Sequence, residues 1–167
     1  MIDDFIKKPT LILGCGNVLF GDDGFGPAVV DYLESHYAIP EDVLVRDMGT
    51  SLQEVLFDLL IAPQKPKRIF IVDALSQPER LPGELFEIDL GQFPQKKLSA
   101  RPAHQFPSIR QLQELGGLTG AVIRILVVQS QHLPETVGPG LSRVVREAVP
   151  RACDWLIKEI ETEKLGD

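Results

Sequence analysis

Hydrophobic residues along the chain follow two patterns, and these patterns predict its elements. Continuous or alternating hydrophobic runs, typical of strands, occupy residues 10–13, 42–47, 68–74, 83–90 and 121–129. Hydrophobic residues at helical spacing occupy residues 27–36, the segment from Ser51 to Pro63, residues 108–115 and residues 141–163. About five strands in near alternation with four helices predict an α/β three-layer sandwich.

Two of the predicted strands differ in how much of their surface they bury. In residues 68–74, four apolar residues in a row precede Asp73, as in a central strand that is buried on both faces. In residues 83–90, polar and apolar residues alternate, which is typical of a half-exposed strand. We therefore place residues 68–74 at the centre of the sheet and residues 83–90 toward an edge.

Two helices carry signals at particular residues. Ser51 and Glu54 match the S-x-x-E capping box, so the second helix is predicted to begin there. Pro150 lies inside the last helix and is predicted to kink or split it, because proline lacks the N–H that an interior helix position donates.

Residues 91–107 are a long stretch without a clear period. Prolines alternate there with Lys96, Lys97, Arg101 and His104. Structureless segments of this length are usually functional or disordered. His104 is therefore worth considering as a functional side chain.

Composition and charge narrow the class of protein. The 167 residues, 44% hydrophobic and 25% charged, suit a single domain over residues 1–167. The net charge of -7 argues against a nucleic-acid or anionic-membrane partner, because phosphate binding needs clustered Lys and Arg. The N-terminus lacks a signal-peptide pattern, and no run approaches the ~20 apolar residues of a membrane helix. With Cys15 and Cys153 expected as free thiols, we expect a soluble, cytoplasmic protein.

The first strand leads into Gly14-x-Gly16 and then into an acidic pair at positions 22 and 23. A G-x-G after a strand admits a dinucleotide-binding site, with Asp47 as the ribose-binding acid. The third glycine of that fingerprint falls at Leu19, and the acidic pair would put negative charge beside a pyrophosphate. Sterics and electrostatics therefore both oppose NAD or FAD, and a dinucleotide-binding oxidoreductase is kept only as a less favoured alternative.

Acidic and imidazole groups are predicted to meet at one edge of the sheet. Asp22 or Asp23 follows the first strand, Asp73 ends the third, and His104 lies in the long loop. Neighbouring parallel strands bring their carboxyl ends together, and a divalent cation relieves the repulsion between two close carboxylates. Such a nitrogen and oxygen donor set with vacant positions suits Zn²⁺ or Ni²⁺. Strand-end aspartates are also often caps, and loop histidines are often solvated, so the pattern alone leaves both interpretations open.

Cys15 is the other side chain near this edge with possible chemistry. No histidine or other base lies at a recognisable spacing from it. We therefore predict that Cys15 is a small packing residue rather than a nucleophile.

Four motifs resemble those of a known family. Residues 14–26, GCGNVLFGDDGFG, resemble the G-x-G-N-x-L-x-x-D-D/E-x-x-G signature of the hydrogenase maturation endopeptidases, which trim the large subunit of [NiFe] hydrogenases. In the same order along the chain, residues 47–50 resemble the family's D-x-G-T/S, residues 72–74 its V/A-D-A, and residues 83–85 its P-G-x-hydrophobic strand. The resemblance covers about residues 11–129.

The resemblance implies a fold and a set of site residues. The fold is a twisted, mostly parallel five-stranded sheet between helical layers. The family's metal-binding carboxylates and histidine correspond to Asp23, Asp73 and His104. Asp23 is one methylene shorter than the Glu of several relatives, and the residues before His104 follow the family's S-x-H only loosely. Asp47 and Gly49 lie beside this set and are implied to contact the substrate chain.

The resemblance also implies an activity. Members are thought to recognise nickel already inserted in the large-subunit precursor, to lend it ligands, and to cut the C-terminal extension just past the last metal-binding cysteine motif. Nickel would then be supplied by the precursor rather than by the protease. A non-catalytic maturation chaperone that binds the same precursor remains an open alternative.

Overall fold

A computed structural model describes residues 7–91 and 109–164 of the chain. In chain order the elements are β1 (Thr10–Cys15), the 3-10 turn η1 (Gly21–Gly24), α1 (Phe25–His36), β2 (Val43–Gly49), α2 (Leu52–Ile61), β3 (Arg68–Leu75), β4 (Leu85–Ile88), α3 (Ile109–Thr119), β5 (Val122–Gln129) and α4 (Arg143–Lys164). The described chain thus has the predicted five strands and four helices. Most of the predicted loop, including His104, and Ser108 at the start of the third predicted helix lie outside the described residues.

The five strands form one mixed sheet in the order β2-β1-β3-β5-β4. The pairs β1–β2, β1–β3 and β3–β5 are parallel, whereas β4 runs antiparallel to β5. The prediction of a central third strand and an edge strand in residues 83–90 is therefore confirmed. A mostly parallel sheet requires crossover connections, which the helices provide.

Successive residues of the strands face two separate hydrophobic layers. Ile12 and Phe70 pack with apolar residues of α1 and α4 on one face. Leu11 and Ile69 pack with those of α2 and α3 on the other face. Because both faces are covered, the central strands are hydrophobic at every position rather than at alternate ones. The three-layer sandwich is confirmed.

The start of α2 agrees with its sequence signal in position but not in contact. Ser51 is the N-cap residue, yet its side chain makes no capping hydrogen bond. Its backbone, at φ -98° and ψ 15°, lies outside the extended conformation from which an N-cap hydroxyl reaches the first-turn N–H groups. The predicted capping box is wrong as a hydrogen-bonded motif.

Helix α4 runs unbroken through Pro150. Of the two predicted outcomes, a kink or a split, the split is therefore excluded. Proline removes one helical hydrogen bond, and the apolar face of α4 packed on the sheet holds the helix together across that gap. Neither α4, with its 22 residues, nor any other described helix combines the length and apolar character needed to cross a membrane.

The chain changes direction across the sheet at β1. Strand β2 lies on one side of β1 and β3 on the other. In open α/β sheets, ligands bind in the crevice outside the carboxyl ends of the strands at such a switch point. The crevice between β1 and β3 is therefore where a functional site is expected.

Candidate functional site

Glycines bring the start of α1 against the ends of β1 and β3. A Cβ atom on Gly14 would lie 2.4 Å from the carbonyl oxygen of Gly26. A Cβ atom on Gly26 would lie 2.2 Å from the carbonyl oxygen of Cys15 and 2.6 Å from that of Val72. No side chain fits at either position, so the glycine spacing serves to place the turn η1 directly over the strand ends.

The carboxylate of Asp23 is fixed over the end of β1. Gly16, at φ +128°, passes so close that a Cβ atom on it would lie 1.9 Å from the carbonyl oxygen of Asp23. The N–H of Asn17 donates to Asp23 Oδ2 at 3.0 Å. With Asp23 only 4% exposed, the turn holds a buried carboxylate at the predicted position.

Asp73 occupies the corresponding place on β3. It is 1% exposed, and its Oδ1 accepts a hydrogen bond from the N–H of Ala74 at 2.7 Å. The turn η1 contacts β3, and the carboxylates of Asp23 and Asp73 both act on the thiol of Cys15 at the end of β1, so the two lie in one neighbourhood. The prediction that the carboxyl ends of the first and third strands are neighbours is confirmed by the parallel pairing of β1 with β3. The role of the two carboxylates as metal ligands stays a prediction.

Cys15 reports the electrostatic character of this crevice. Burial raises the pKa of its thiol well above the ordinary value, and the carboxylates of Asp73, Asp47 and Asp23 raise the pKa further. The thiol is therefore protonated at neutral pH, which removes its nucleophilicity. Cys15 is 1% exposed within the same apolar layer as Leu11, as expected of a packing residue. The three carboxylates lie near enough to act on one thiol.

Asp47 and Gly49 form the outer wall beside this neighbourhood. The N–H of Gly49 donates to Asp47 Oδ1 at 2.8 Å, and the carbonyl oxygen of Gly49 accepts from the N–H of Gly16 at 2.9 Å. The pairing of β1 with β2 shifts register here. Gly49 has φ +52° and no atom within 4 Å of where its Cβ would lie, so its surface is open to an approaching chain.

A groove of about 360 Å³ leads away from Asp47 along the start of α1. Its walls are mainly apolar or glycine, with Asp31 as a second carboxylate. The residues that line it include Val18, Gly24, Pro27, Ala28, Asp47 and Leu141. Most of its wall is therefore apolar surface that a bound molecule could cover.

The structure separates the two members of the acidic pair. Asp23 faces the crevice, whereas the carboxylate of Asp22 accepts hydrogen bonds from Gln131, His132 and Ser142. Spacing alone left the choice between Asp22 and Asp23 open, and no sequence signal indicated that residues 131–142 bind the Asp22 carboxylate. Two adjacent side chains in a tight turn point in different directions. That rule alone could have predicted that Asp22 and Asp23 have different contacts.

The described donors for a metal ion are two carboxylates. No three His, Cys, Asp or Glu side chains within residues 7–91 and 109–164 are grouped so that they could hold a metal ion. Asp23 and Asp73 fit a divalent cation in donor type, burial and position, and a third donor has to come from elsewhere. The predicted third ligand, His104, lies outside the described residues.

The geometry does not favour a dinucleotide. Pyrophosphate binding uses the N–H groups of a helix that follows the glycine loop directly. Here the turn η1 and its buried carboxylates stand between Gly16 and α1. Leu19, at the position of the third glycine, is 45% exposed in that loop.

Comparisons with known proteins point to one family. The model of the hydrogenase maturation protease family matches residues 27–159. A putative hydrogenase maturation protease of Methanocaldococcus jannaschii is 36% identical over 155 residues, covering 93% of this chain and 98% of that protein. The hydrogenase 2 maturation protease of Escherichia coli is 27% identical over 149 residues, covering 88% and 87%. The crystal structure of a [NiFe] hydrogenase maturation protease from Thermococcus kodakarensis matches the fold with a TM-score of 0.73 at 22% identity, covering 94% of this chain and 96% of that one.

Proposed function

The chain belongs to the hydrogenase maturation protease family and is an endopeptidase that cleaves the C-terminus of a hydrogenase large subunit, and from this premise we propose that Asp23, Asp73 and His104 act on nickel carried by the precursor. The observation that carries the proposal is the convergence of two buried carboxylates on the crevice between β1 and β3. These carboxylates, together with Asp47, give the crevice a negative charge, and this charge adds to burial in raising the pKa of the Cys15 thiol. A cation entering the crevice lowers the energy of that arrangement.

Nickel in this proposal is part of the substrate. Two carboxylates and one imidazole leave coordination positions vacant, and cysteine sulfur of the precursor can occupy them. Lewis-acid assistance to peptide hydrolysis then comes from the nickel ion that the precursor brings. In this proposal the protease residues orient that ion and the adjoining peptide bond. The reaction then needs no thiol nucleophile, in agreement with a Cys15 thiol that is buried and whose pKa is raised.

Asp47 and Gly49 are proposed to hold the precursor chain next to the scissile bond. Gly49 presents open backbone, and Asp47 is exposed where the groove along α1 begins. An extended segment placed in this groove would pass the end of β2 and reach the carboxylates at the ends of β1 and β3. We expect the reaction to take place in the cytoplasm, where the two free thiols stay reduced.

Removal of the Asp73 charge tests the assignment. Asp73→Asn keeps the size of the side chain and an oxygen that can accept from Ala74 N–H. We expect cleavage of the nickel-loaded precursor to fall by about 10³-fold, because several kcal/mol of transition-state stabilisation depend on the metal contact. The rate is measured from the C-terminal mass of the precursor over time.

Asp89→Asn is the matched control for this measurement. Asp89 is an exposed aspartate whose Oδ1 also accepts a backbone hydrogen bond, from Gly91 at 2.8 Å. The control is expected to cleave at the rate of the unchanged protein. Full cleavage by Asp73→Asn, with both variants folded, would show that the Asp73 carboxylate is not a metal ligand.

A further inference from the structure

One buried carboxylate ties the turn η1 to residues 130–142. Asp22 is 0% exposed. Its Oδ2 accepts hydrogen bonds from the N–H groups of Gln131 and His132, both at 2.8 Å, and from the Ser142 hydroxyl at 2.9 Å. Its Oδ1 accepts from the N–H of Ser142 at 2.7 Å. A charged acceptor makes each of these bonds stronger than a neutral one.

Backbone hydrogen bonds reinforce the same contact. The N–H of Asp22 donates to the carbonyl oxygen of His132 at 3.0 Å, and the N–H of Gly21 donates to that of Gly138 at 2.9 Å. In return, the N–H of Gly138 donates to the carbonyl oxygen of Leu19 at 2.8 Å. Residues 130–142 therefore hold the first half of the turn, Gly21 and Asp22, directly before Asp23.

Residues 130–142 are also attached to the end of β3. Both the N–H and the hydroxyl of Ser130 donate to the carbonyl oxygen of Leu75, at 2.9 and 3.2 Å. Leu75 lies two residues beyond Asp73 on the same strand. Residues 130–142 thus form hydrogen bonds both with the turn that carries Asp23 and with the strand that carries Asp73.

We propose that Asp22 is a positioning residue, which sets the place of the Asp23 carboxylate relative to Asp73 through residues 130–142. Ser142 directly precedes α4, and the partial positive charge at the start of that helix favours a carboxylate at this point. An amide cannot replace it, because one end of an Asn side chain would turn its own N–H group toward a backbone or hydroxyl donor. The catalytic consequence rests on the proposed function, whereas the geometric consequence does not.

The geometric consequence is measured at one amide. The N–H of Asn17 donates to Asp23 Oδ2, so its hydrogen exchange reports whether that carboxylate stays in place. In Asp22→Asn we expect this amide to exchange about tenfold faster or more, at a temperature where the variant remains folded. Ser142→Ala removes one hydroxyl donor and keeps the backbone contact, so a smaller increase is expected. Glu135→Gln, which removes an exposed carboxylate from the same segment, is expected to leave exchange unchanged.

The catalytic consequence is measured with the nickel-loaded precursor. Displacing Asp23 without removing it should lower kcat by about 10²-fold in Asp22→Asn while KM stays within about twofold, since misplacement affects the transition state more than docking. Ser142→Ala should lower kcat less, and Glu135→Gln should have no effect. If Asp22→Asn lowers only the melting temperature, with kcat and Asn17 exchange unchanged, the positioning role is refuted. If the protein without any substitution fails to cleave the precursor, the proposed function is refuted. The hydrogen exchange of Asn17 still tests whether Asp22 positions Asp23.

Discussion

Charged side chains are arranged in opposite ways at the outer edge of the sheet and at the ends of β1 and β3. At the edge, Arg124 of β5 donates to Glu87 of β4 at 2.7 Å and also contacts Glu159 of α4. Its guanidinium lies 4.7 Å from the centre of the Trp155 ring. Opposite charges are therefore paired within the protein at this edge, and the pairs connect β4, β5 and α4.

At the ends of β1 and β3, by contrast, the charged groups that lie together are all carboxylates. Asp73, Asp47 and Asp23 all raise the pKa of the Cys15 thiol, after burial itself. Like charges gathered in this way do not stabilise the fold, and they favour the binding of a cation. We therefore expect the edge cluster to contribute to stability and the crevice to contribute to function, and substitutions in each region should separate the two properties.

The largest expected effect is on catalysis, at Asp23. Asp23→Asn should lower the cleavage rate by about 10³-fold, for the same reason as at Asp73. Asp23→Glu keeps the carboxylate and should retain activity within about tenfold, since a longer side chain with the same charge still reaches the crevice. Single-turnover cleavage of the nickel-loaded precursor measures both. Equal activity of the Asn and Glu variants would contradict a role for the charge.

The next effect is on stability, at the edge. Arg124→Met keeps most of the packing but leaves Glu87 and Glu159 without the guanidinium between them. We expect a loss of about 2 kcal/mol in the free energy of unfolding, and a melting temperature lower by about 4–8 °C, with cleavage unchanged. Calorimetry measures the shift.

Arg143→Met is the control for the edge cluster. Arg143 pairs with Glu147 at 2.9 Å, but their side chains are 85% and 59% exposed. Exposed pairs contribute little, so the melting temperature should not move. Equal shifts in the Arg124 and Arg143 variants would show that the edge cluster has no special contribution.

A smaller effect is expected in the groove along α1. Ala28→Leu adds apolar volume at the groove wall, and we expect KM for the precursor to rise about tenfold, equivalent to ~1.4 kcal/mol of binding, with kcat unchanged. Ala38→Leu places the same side chain at an exposed position after α1 and serves as the control. Unchanged steady-state kinetics in Ala28→Leu would exclude the groove as the path of the substrate chain.

The smallest effect concerns the Cys15 thiol. Its pKa is raised from 9.0, so the folded state keeps the thiol neutral where the unfolded state ionises it. The stability that this contributes is present below about pH 9 and is lost as pH rises above that value. The melting temperature of Cys15→Ala should therefore fall less between about pH 8 and about pH 10 than that of the unchanged protein. The cleavage rate of Cys15→Ala should stay within about twofold of that of the unchanged protein. Loss of cleavage in this variant would indicate a catalytic role for Cys15.

The sequence predicted the elements better than the contacts between them. Hydrophobic runs identify buried strands such as residues 68–74 because burial on both faces requires an apolar side chain at every position. The Ser51 capping bond was predicted and is absent, since the backbone angles of one residue decide it and a motif does not encode them. Likewise, nothing in the spacing of Asp22 shows that its hydrogen-bond partners lie more than a hundred residues away. Long-range polar contacts of this kind depend on the assembled fold.

We propose that the protease recognises nickel in its substrate through Asp23, Asp73 and His104. The most direct measurement is the C-terminal mass of the purified large-subunit precursor, with and without inserted nickel, after incubation with the purified protein. We predict loss of the tail only from the nickel-loaded precursor, no inhibition by serine- or cysteine-protease reagents, and no cleavage by His104→Ala. Equal cleavage of the nickel-free precursor would contradict the account.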